Sequence, residues 1–274
     1  MSALREKGLS QRRSCQLVGI SRSACQYQPS EVNQPLIERM RVLAFEHIRY
    51  GYRRIWALLR REGWQCNIKR IWRLWKMERL QVPKRRKRKR LPDNTTPFPH
   101  QAKAPGHVWT VDFVADRLGH GGRLRMLTVV DEFTRESLAI RVERSLKARD
   151  VQATLEKLFQ TKGPPCYLRS DNGSEFIERS LQEWLKKQGT ESLFITPASP
   201  WENGKCESFN GKFRDECLNA EYFRTLREAK VLVEMWRKQY NSFRPHRALS
   251  YQTPAEFAAR WHSTNPSDVL PAVI

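Results

Sequence analysis

Two carboxylates lie where ordinary folding does not favour a charge. Asp112 is inside VWTVDFV, a segment typical of a buried strand, where strand propensity and burial both disfavour a charged side chain. Asp171 follows CYLRS, where the chain leaves a predicted strand and where α/β sheets commonly build sites. Taken alone, Asp171 could equally be the turn residue of a DNG tight turn.

A third carboxylate comes from residues 197–217, PASPWENGKCESFNGKFRDEC. Helical spacing aligns one apolar stripe that should pack on a sheet, formed by Cys206, Phe209, Phe213 and Cys217. An adjacent polar stripe contains Asn203, Glu207, Asn210 and Arg214, and Gly204 and Gly211 should allow close approach. Of the four acids, Glu202 precedes the helix, and Asp215 and Glu216 lie well beyond Glu207. Glu207 is therefore the acid best placed beside the buried edge.

Three converging carboxylates repel one another unless cations neutralise them. Hard carboxylate oxygens select Mg²⁺ or Mn²⁺. Two such ions, about 3.5 to 4 Å apart, can activate a nucleophilic oxygen and stabilise the leaving oxygen of a phosphodiester. We therefore predict that Asp112, Asp171 and Glu207 bind two divalent ions and act on a polyanion.

The sequence segments that contain these acids are predicted to form an α/β domain. Residues 107–117, 123–133 and 136–145 are predicted to form an antiparallel meander. Predicted helices (147–163, 177–189, 197–217) then alternate with predicted strands (166–170, 192–196), and a final helix covers 225–243. Three strands followed by alternating helix and strand indicate a mixed five-stranded sheet with flanking helices.

Small all-α units precede this domain. Residues 1–28 contain two short helical patterns around Gly19, with Ser21 placed to cap the second; the pattern fits a helix-turn-helix or an ordinary helical hairpin. Residues 34–48, 50–63 and 67–80 are predicted to form three amphipathic helices, the third capped by Asn67.

The charge distribution indicates a polyanionic partner. The net charge is +21, and residues 1–100 hold 24 Lys and Arg against 7 Asp and Glu. Residues 84–90, KRRKRKR, begin a proline-containing stretch that we interpret as an extended arm and linker. The basic side chains predicted to contact this polyanion, for which charge alone does not choose DNA over RNA, are Arg53, Arg54, Lys69, Arg70, Arg73, Lys84, Arg85, Arg86, Lys87, Arg88, Lys89, Arg90, Lys212 and Arg214. For any one of these residues, a solvated charged surface is the alternative.

The sequence contains neither an apolar run long enough to span a bilayer nor the apolar core of a signal peptide, so we expect a cytoplasmic protein. The six cysteines form no CxxC pair and should be reduced and mostly buried.

The acids and their flanking segments resemble a known family. There are 58 residues between Asp112 and Asp171 and 35 between Asp171 and Glu207, and Arg214 is the seventh residue after Glu207. This spacing resembles the DDE triad of retroviral integrases and insertion-sequence transposases. The segments VWTVDFV, LRSDNGSEF, SPWENGKCESFNGKFRDE and YNSFRPHRALSYQTPAEF are similar to the integrase core of OrfB-type transposases, and YGYRRI to their helical DNA-binding region.

The resemblance implies an RNase H-like core in which Asp112 bridges both ions while Asp171 and Glu207 each hold one. It implies that Arg214, where many relatives have Lys, contacts DNA near the reacting end. Expected partners are double-stranded DNA at element ends and target, further copies of the chain, and an upstream-frame product or fusion.

The predicted segments are a helix-turn-helix-like unit (1–30), a three-helix DNA-binding domain (31–82), a basic arm and linker (83–104), an RNase H-like core with its C-terminal helix (105–262) and a tail (263–274). The implied function is Mg²⁺-dependent cleavage of element ends and transfer of the 3′-OH strand into DNA. The alternatives are an RNase H-like nuclease that does not join strands and a DNA-binding regulator with an inactive core.

Overall fold

The computed structural model describes residues 8, 10–26, 33–83, 100–196 and 204–265. The chain divides into two compact units, Met1–Val82 and Pro83–Ile274, and each is treated by itself. The basic run 84–90 and the predicted tail beyond residue 265 lie outside the described residues.

The first unit contains five helices within its described residues: α1 (Gln11–Val18), α2 (Arg22–Gln26), α3 (Gln34–Glu46), α4 (Tyr52–Arg61) and α5 (Ile68–Met77). Ser10 caps α1, which ends at Gly19 in the left-handed region, with φ of 69°. Asn67 caps α5 as predicted, because its side chain accepts a hydrogen bond from the Lys69 amide at 2.8 Å.

Helices α3, α4 and α5 share one apolar core. Apolar residues that recur at helical spacing in α4 and α5 are buried there: Ile55, Leu58, Leu59, Ile71, Leu74 and Trp75. The opposite face of α5 carries charged residues toward solvent. The amphipathic pattern therefore predicted both the helices and the side on which they pack.

The second unit contains a five-stranded mixed sheet with the strand order β3-β2-β1-β4-β5. The strands are β1 (Val108–Arg117), β2 (Arg123–Asp131), β3 (Ser137–Glu143), β4 (Tyr167–Ser170) and β5 (Glu191–Phe194). Strands β1, β2 and β3 form an antiparallel meander, whereas β4 is parallel to β1 and β5 is parallel to β4. The predicted α/β fold class, with its mixed five-stranded sheet and flanking helices, is confirmed.

Helices cover both faces of this sheet. They are α6 (Ala148–Lys162), α7 (Ser174–Ile177), α8 (Arg179–Lys187), α9 (Gly204–Phe213), α10 (Leu226–Ser242) and α11 (Pro254–Thr264). Helices α6, α7 and α8 pack on the face that carries Trp109 and Val111 of β1. Helices α9 and α10 pack on the opposite face, which carries Val114. Alternate residues of β1 therefore enter two different cores, and β1 lies at the centre of the unit.

The structure departs from the predicted elements in two places. Helix α11 was not predicted, although its start is readable in the sequence: Thr253 and Glu256 form a capping box around Pro254. The expectation that Gly204 and Gly211 allow close packing is wrong, because a Cβ at either position would meet nothing within 4 Å. Within α9, burial of Phe209 and Phe213 is what holds the helix against the sheet.

Candidate active site

Asp112 lies in the middle of β1 on the face that packs against α9. Its Oδ1 accepts a hydrogen bond from the Phe113 amide at 2.7 Å, and its Oδ2 accepts one from Asn210 Nδ2 at 2.7 Å. Burial raises the pKa of Asp112 to about 6, and the negative charges of Asp171 and Glu207 contribute to that rise. The site therefore disfavours the charged form of Asp112 in the absence of a cation.

Asp171 follows the last residue of β4, next to β1. The parallel register pairs Thr110 with Arg169, so Asp112 and Asp171 each lie two residues further along their own chain segments. Asp171 is exposed, and its Oδ1 accepts a hydrogen bond from the Gly173 amide at 3.0 Å. A Cβ at position 173 would lie 2.9 Å from that oxygen, which explains a glycine here. Asp171 is therefore both the turn residue of the DNG segment and a neighbour of Asp112 on the adjacent strand.

Glu207 is in the first turn of α9 and is exposed. The apolar stripe predicted for this helix is buried at all four positions: Cys206, Phe209, Phe213 and Cys217.

Burial raises the pKa of the Cys206 thiol. Four of the six cysteines are buried and all six are free, as predicted.

The three candidate acids are not gathered into a closed cluster. Within the described ranges, no three His, Cys, Asp or Glu side chains lie close enough to hold a metal ion. Asp171 and Glu207 are exposed, whereas Asp112 is held by two hydrogen bonds.

Asn210 is a site residue that the sequence interpretation did not select. It lies three residues after Glu207 on the polar stripe of α9, and its Oδ1 accepts a hydrogen bond from Thr128 Oγ1 of β2 at 3.2 Å. With its bond to Asp112, Asn210 joins α9 to two strands of the sheet. The sequence did place Asn210 on the polar stripe of α9, but this position alone does not tell whether its side-chain amide binds another residue or water.

After Phe213 the helix continues as a π-helical turn, Arg214–Leu218. Arg214 is exposed and donates from Nη2 to the carbonyl oxygen of Ala115 in β1, at 3.1 Å.

Glu216 forms a bidentate ion pair with Arg244, at 2.6 and 2.5 Å, and both side chains are buried. This pairing gives Glu216 a structural role and separates it from Glu207. Lys212 is near the protein surface, where its Nζ hydrogen-bonds Ser208 Oγ at 3.1 Å.

The predicted DNA contacts of the first unit differ in their surroundings. Lys69 and Arg73 are exposed on α5, whereas Arg70 is half-buried and donates to Asn33 Oδ1 at 2.9 Å from Nε. In α4, Arg53 donates to Tyr52 Oη at 3.1 Å, and the Arg54 guanidinium lies 5.1 Å from the Tyr50 ring centroid.

The exposed side of α5 also carries an aromatic residue that the sequence interpretation did not select. Lys76 Nζ lies 4.0 Å from the ring centroid of Trp72. The cations on α5 are therefore interleaved with an indole ring.

Family models match both units. Two models described as "Integrase core domain" match residues 102–200 and 188–254, and one described as "HTH-like domain" matches residues 31–88. The expected integrase core is thereby shown. The helix-turn-helix-like match falls on the predicted three-helix domain (31–82) rather than on residues 1–30, where the helix-turn-helix-like unit was predicted. In the part of the chain that the structure describes, no helix has the length and apolarity needed to cross a membrane.

Relatives of similar length agree. The chain is 43% identical over 267 residues to the 31.7 kDa protein of insertion element IS407 of Burkholderia multivorans, covering 96% of both chains. It is 30% identical over 222 residues to the transposase InsD of insertion element IS2 of Escherichia coli, covering 76% of this chain and 73% of that protein. The chain belongs to the family of bacterial insertion-sequence transposases with an integrase-like core.

A solved structure of the HTLV-2 integrase catalytic core with magnesium is a more distant match. It has 15% sequence identity and a TM-score of 0.43, over 57% of this chain and 97% of that chain. The family assignment rests on the family models and the two relatives.

Proposed function

We propose that this protein is a DDE transposase that cleaves DNA at insertion-sequence ends and joins the freed 3′-OH strand to target DNA. The observation that carries the proposal is the register of β1 and β4. It brings Asp112 and Asp171 to neighbouring positions, and the hydrogen bond from Asn210 joins to Asp112 the helix whose first turn carries Glu207. Family membership supports the DNA substrate.

Asp112, Asp171 and Glu207 would hold two Mg²⁺ or Mn²⁺ ions. Their donor atoms are carboxylate oxygens, which suit these hard cations. The pKa of Asp112 is raised mainly by burial and further by the charges of Asp171 and Glu207, and a bound cation would favour its charged form. When bound, such ions activate a nucleophilic oxygen and stabilise the leaving oxygen of a phosphodiester. Asp112 would hold them from β1, Asp171 from the end of β4 and Glu207 from the first turn of α9.

The remaining residues bind and orient. Asn210 orients the Asp112 carboxylate by donating to its Oδ2, while the backbone amide of Phe113 donates to its Oδ1. Lys212 and Arg214 would contact the DNA backbone near the reacting end, because both follow Glu207 along the same helical segment. Water would attack first and the freed 3′-OH second, so no covalent bond between protein and DNA forms.

The first unit would supply binding to the element ends. Exposed Lys69 and Arg73 and the run 84–90 would neutralise phosphates, while α5 would enter a groove as helix-turn-helix units do. Joining two ends to one target requires more than one active site, so a homo-oligomer on DNA is part of the proposal. Cooperation with an upstream-frame product and association with the nucleoid are also part of the proposal.

Oligonucleotide duplexes that carry the element's own ends test the proposal. The wild-type chain with Mg²⁺ should yield both cut ends and joined strands. Glu207→Gln should lower both products more than about 100-fold, because several kcal/mol of transition-state stabilisation would be lost. Glu221→Gln, an exposed acid beyond the π-helical turn, is the matched control and should retain activity.

The products also separate the alternatives. Cut ends without joined strands would favour an RNase H-like nuclease. Binding without any metal-dependent product would favour a DNA-binding regulator. Full activity of Glu207→Gln would contradict the role of Glu207.

A further inference from the structure

Glu132 is a carboxylate buried in the catalytic unit, next to the end of β2. Its side chain is 1% exposed, and its backbone amide bonds the Val108 carbonyl oxygen at the start of β1. A carboxylate that is removed from water this far needs partners for both oxygens. Each oxygen of Glu132 has a different cation.

Arg169 binds one oxygen and Lys205 binds the other. Arg169 Nε donates to Glu132 Oε1 at 2.8 Å, and its side chain is 2% exposed. Lys205 Nζ donates to Glu132 Oε2 at 3.1 Å, and its side chain is 22% exposed. Arg169 also donates from Nη2 to the His100 carbonyl oxygen at 3.2 Å. These contacts hold three charged side chains in one buried network.

The two cations occupy matching places in the chain. Arg169 is two residues before Asp171, and Lys205 is two residues before Glu207. Arg169 belongs to β4, whereas Lys205 belongs to the first turn of α9. One carboxylate therefore ties together the two segments that carry the exposed candidate acids.

The charge of the network suits this position. Two cations and one carboxylate leave a net positive charge beside three acids that repel one another. An apolar trio of similar volume would stabilise the fold as well as a buried ion network or better, so stability alone does not account for the charges. The charges of the network can instead be explained by a role in positioning the neighbouring acids, Asp171 and Glu207.

We propose that Glu132 is a positioning residue that, through Arg169 and Lys205, holds Asp171 and Glu207 in register for divalent-metal binding. This inference deepens the proposed function and rests on it for the role of the two acids. Lys205 is the member to vary, because it is the least buried and because Arg169 remains paired with Glu132 when the Lys205 charge is removed.

The test compares Lys205→Met and Lys205→Arg in the full chain. Lys205→Met keeps the aliphatic stem and removes the charge, whereas Lys205→Arg keeps the charge. Lys230→Met is the matched control, because Lys230 pairs with Glu143 at 2.7 Å between α10 and β3, away from the three acids. Mn²⁺ affinity is measured from the electron paramagnetic resonance signal of free Mn²⁺.

Lys205→Met should weaken Mn²⁺ binding about tenfold or more, as loss of groups that orient metal ligands does. Lys205→Arg should restore binding to within about threefold of wild type, and Lys230→Met should match wild type. Unchanged Mn²⁺ affinity in Lys205→Met, in a protein whose Glu207→Gln variant loses affinity, would overturn the proposal.

Amide hydrogen exchange in the metal-free protein gives a readout that does not depend on metal. The amides of Ser208 and Phe209 close the first turn of α9, and their exchange should be faster in Lys205→Met than in Lys230→Met. Equal exchange in the two variants would overturn the positioning role. If wild type and Glu207→Gln bind Mn²⁺ equally, the proposed function fails, and the exchange result then decides the inference by itself.

Discussion

Asn210 donates a hydrogen bond from Nδ2 to Asp112 Oδ2 at 2.7 Å, and this bond joins α9 to the centre of β1. The two residues are 98 positions apart in the chain. The same asparagine accepts from Thr128 Oγ1 of β2. Because Glu207 is one turn earlier on α9, the bond fixes the helix that carries one candidate acid to the strand that carries another.

Asn210→Ala should therefore lower strand transfer about 10- to 100-fold, the range found for groups that orient metal ligands. The variant leaves the three acids in place but removes a donor from Asp112, so half-saturation should need more Mg²⁺. A Mg²⁺ titration of strand-transfer rate measures both effects. Asn219→Ala, an exposed asparagine after the π-helical turn, is the control. A wild-type titration curve for Asn210→Ala would contradict the prediction.

The raised pKa of Asp112 predicts a pH-dependent cost to stability. Its pKa is about 6 in the folded chain against an ordinary value of 3.8, so folding favours the protonated form. The cost is full above pH 6, fades as pH falls from 6 toward 4, and is absent below both values. Asp112→Asn removes the charge and should therefore stabilise the metal-free protein at pH 7.5, by up to about 3 kcal/mol.

Urea unfolding in the presence of a chelator measures this difference at pH 7.5 and at pH 4.5. The stabilisation by Asp112→Asn should shrink at pH 4.5, because wild-type Asp112 is then largely protonated in the folded state. Added Mg²⁺ should stabilise wild type more than the variant at pH 7.5. An equal difference at both pH values would show that the charge of Asp112 is not its cause.

Local patterns in the sequence were sufficient for the elements of the core. Strand alternation and helical spacing depend on neighbours within a few residues, so β1 and the buried stripe of α9 could be predicted. The mixed character of the sheet followed from the alternation of helix and strand, whereas the parallel pairing of β4 with β1 is known from the structure alone. These features bring Asp112 and Asp171 to adjacent strands.

Contacts between distant segments were not predictable in this way. The Glu132 pairs span 37 residues to Arg169 and 73 to Lys205, and no local period links them. The bidentate pair of Glu216 with Arg244 spans 28 residues. In the sequence, helical register favoured Glu207 over Glu216, but the structural role of Glu216 is seen only from its tertiary partner Arg244. Helix α11 differs, because its capping box was local and readable.

Gly173→Ala should reduce activity with little loss of stability. The backbone of Gly173 has φ of −61°, which alanine adopts readily, but the new Cβ would lie 2.9 Å from Asp171 Oδ1. The carboxylate must move, and misplacement by about 1 Å can cost about 100-fold in rate. We expect a loss of at least tenfold in strand transfer, with the free energy of unfolding changed by less than about 1 kcal/mol.

Gly211→Ala is the matched control for that variant. A Cβ there meets nothing within 4 Å, and the position is inside α9, where alanine is favoured over glycine by about 1 kcal/mol. The control should retain activity and gain stability. Wild-type activity of Gly173→Ala would show that the Asp171 carboxylate tolerates displacement.

The α5 face of the first unit gives a prediction about salt. Lys69 and Arg73 are exposed there, whereas Arg70 is bonded to Asn33 and should be left intact. If both exposed cations neutralise phosphates, Lys69→Gln with Arg73→Gln should weaken DNA binding. It should also make the slope of log K against log salt shallower by about 0.9 for each phosphate that is no longer neutralised.

The control removes two positive charges elsewhere, by Arg179→Gln with Lys186→Gln on the exposed side of α8. Both double variants lower the net charge equally, so a general charge effect would flatten the two slopes alike. Phosphate neutralisation flattens only the slope of the α5 variant, because counterions are released only where a cation meets a phosphate. Fluorescence anisotropy titrations over a range of salt concentrations measure the slopes. An unchanged slope for the α5 variant, or equal flattening in both, would remove these two residues from the DNA-binding surface.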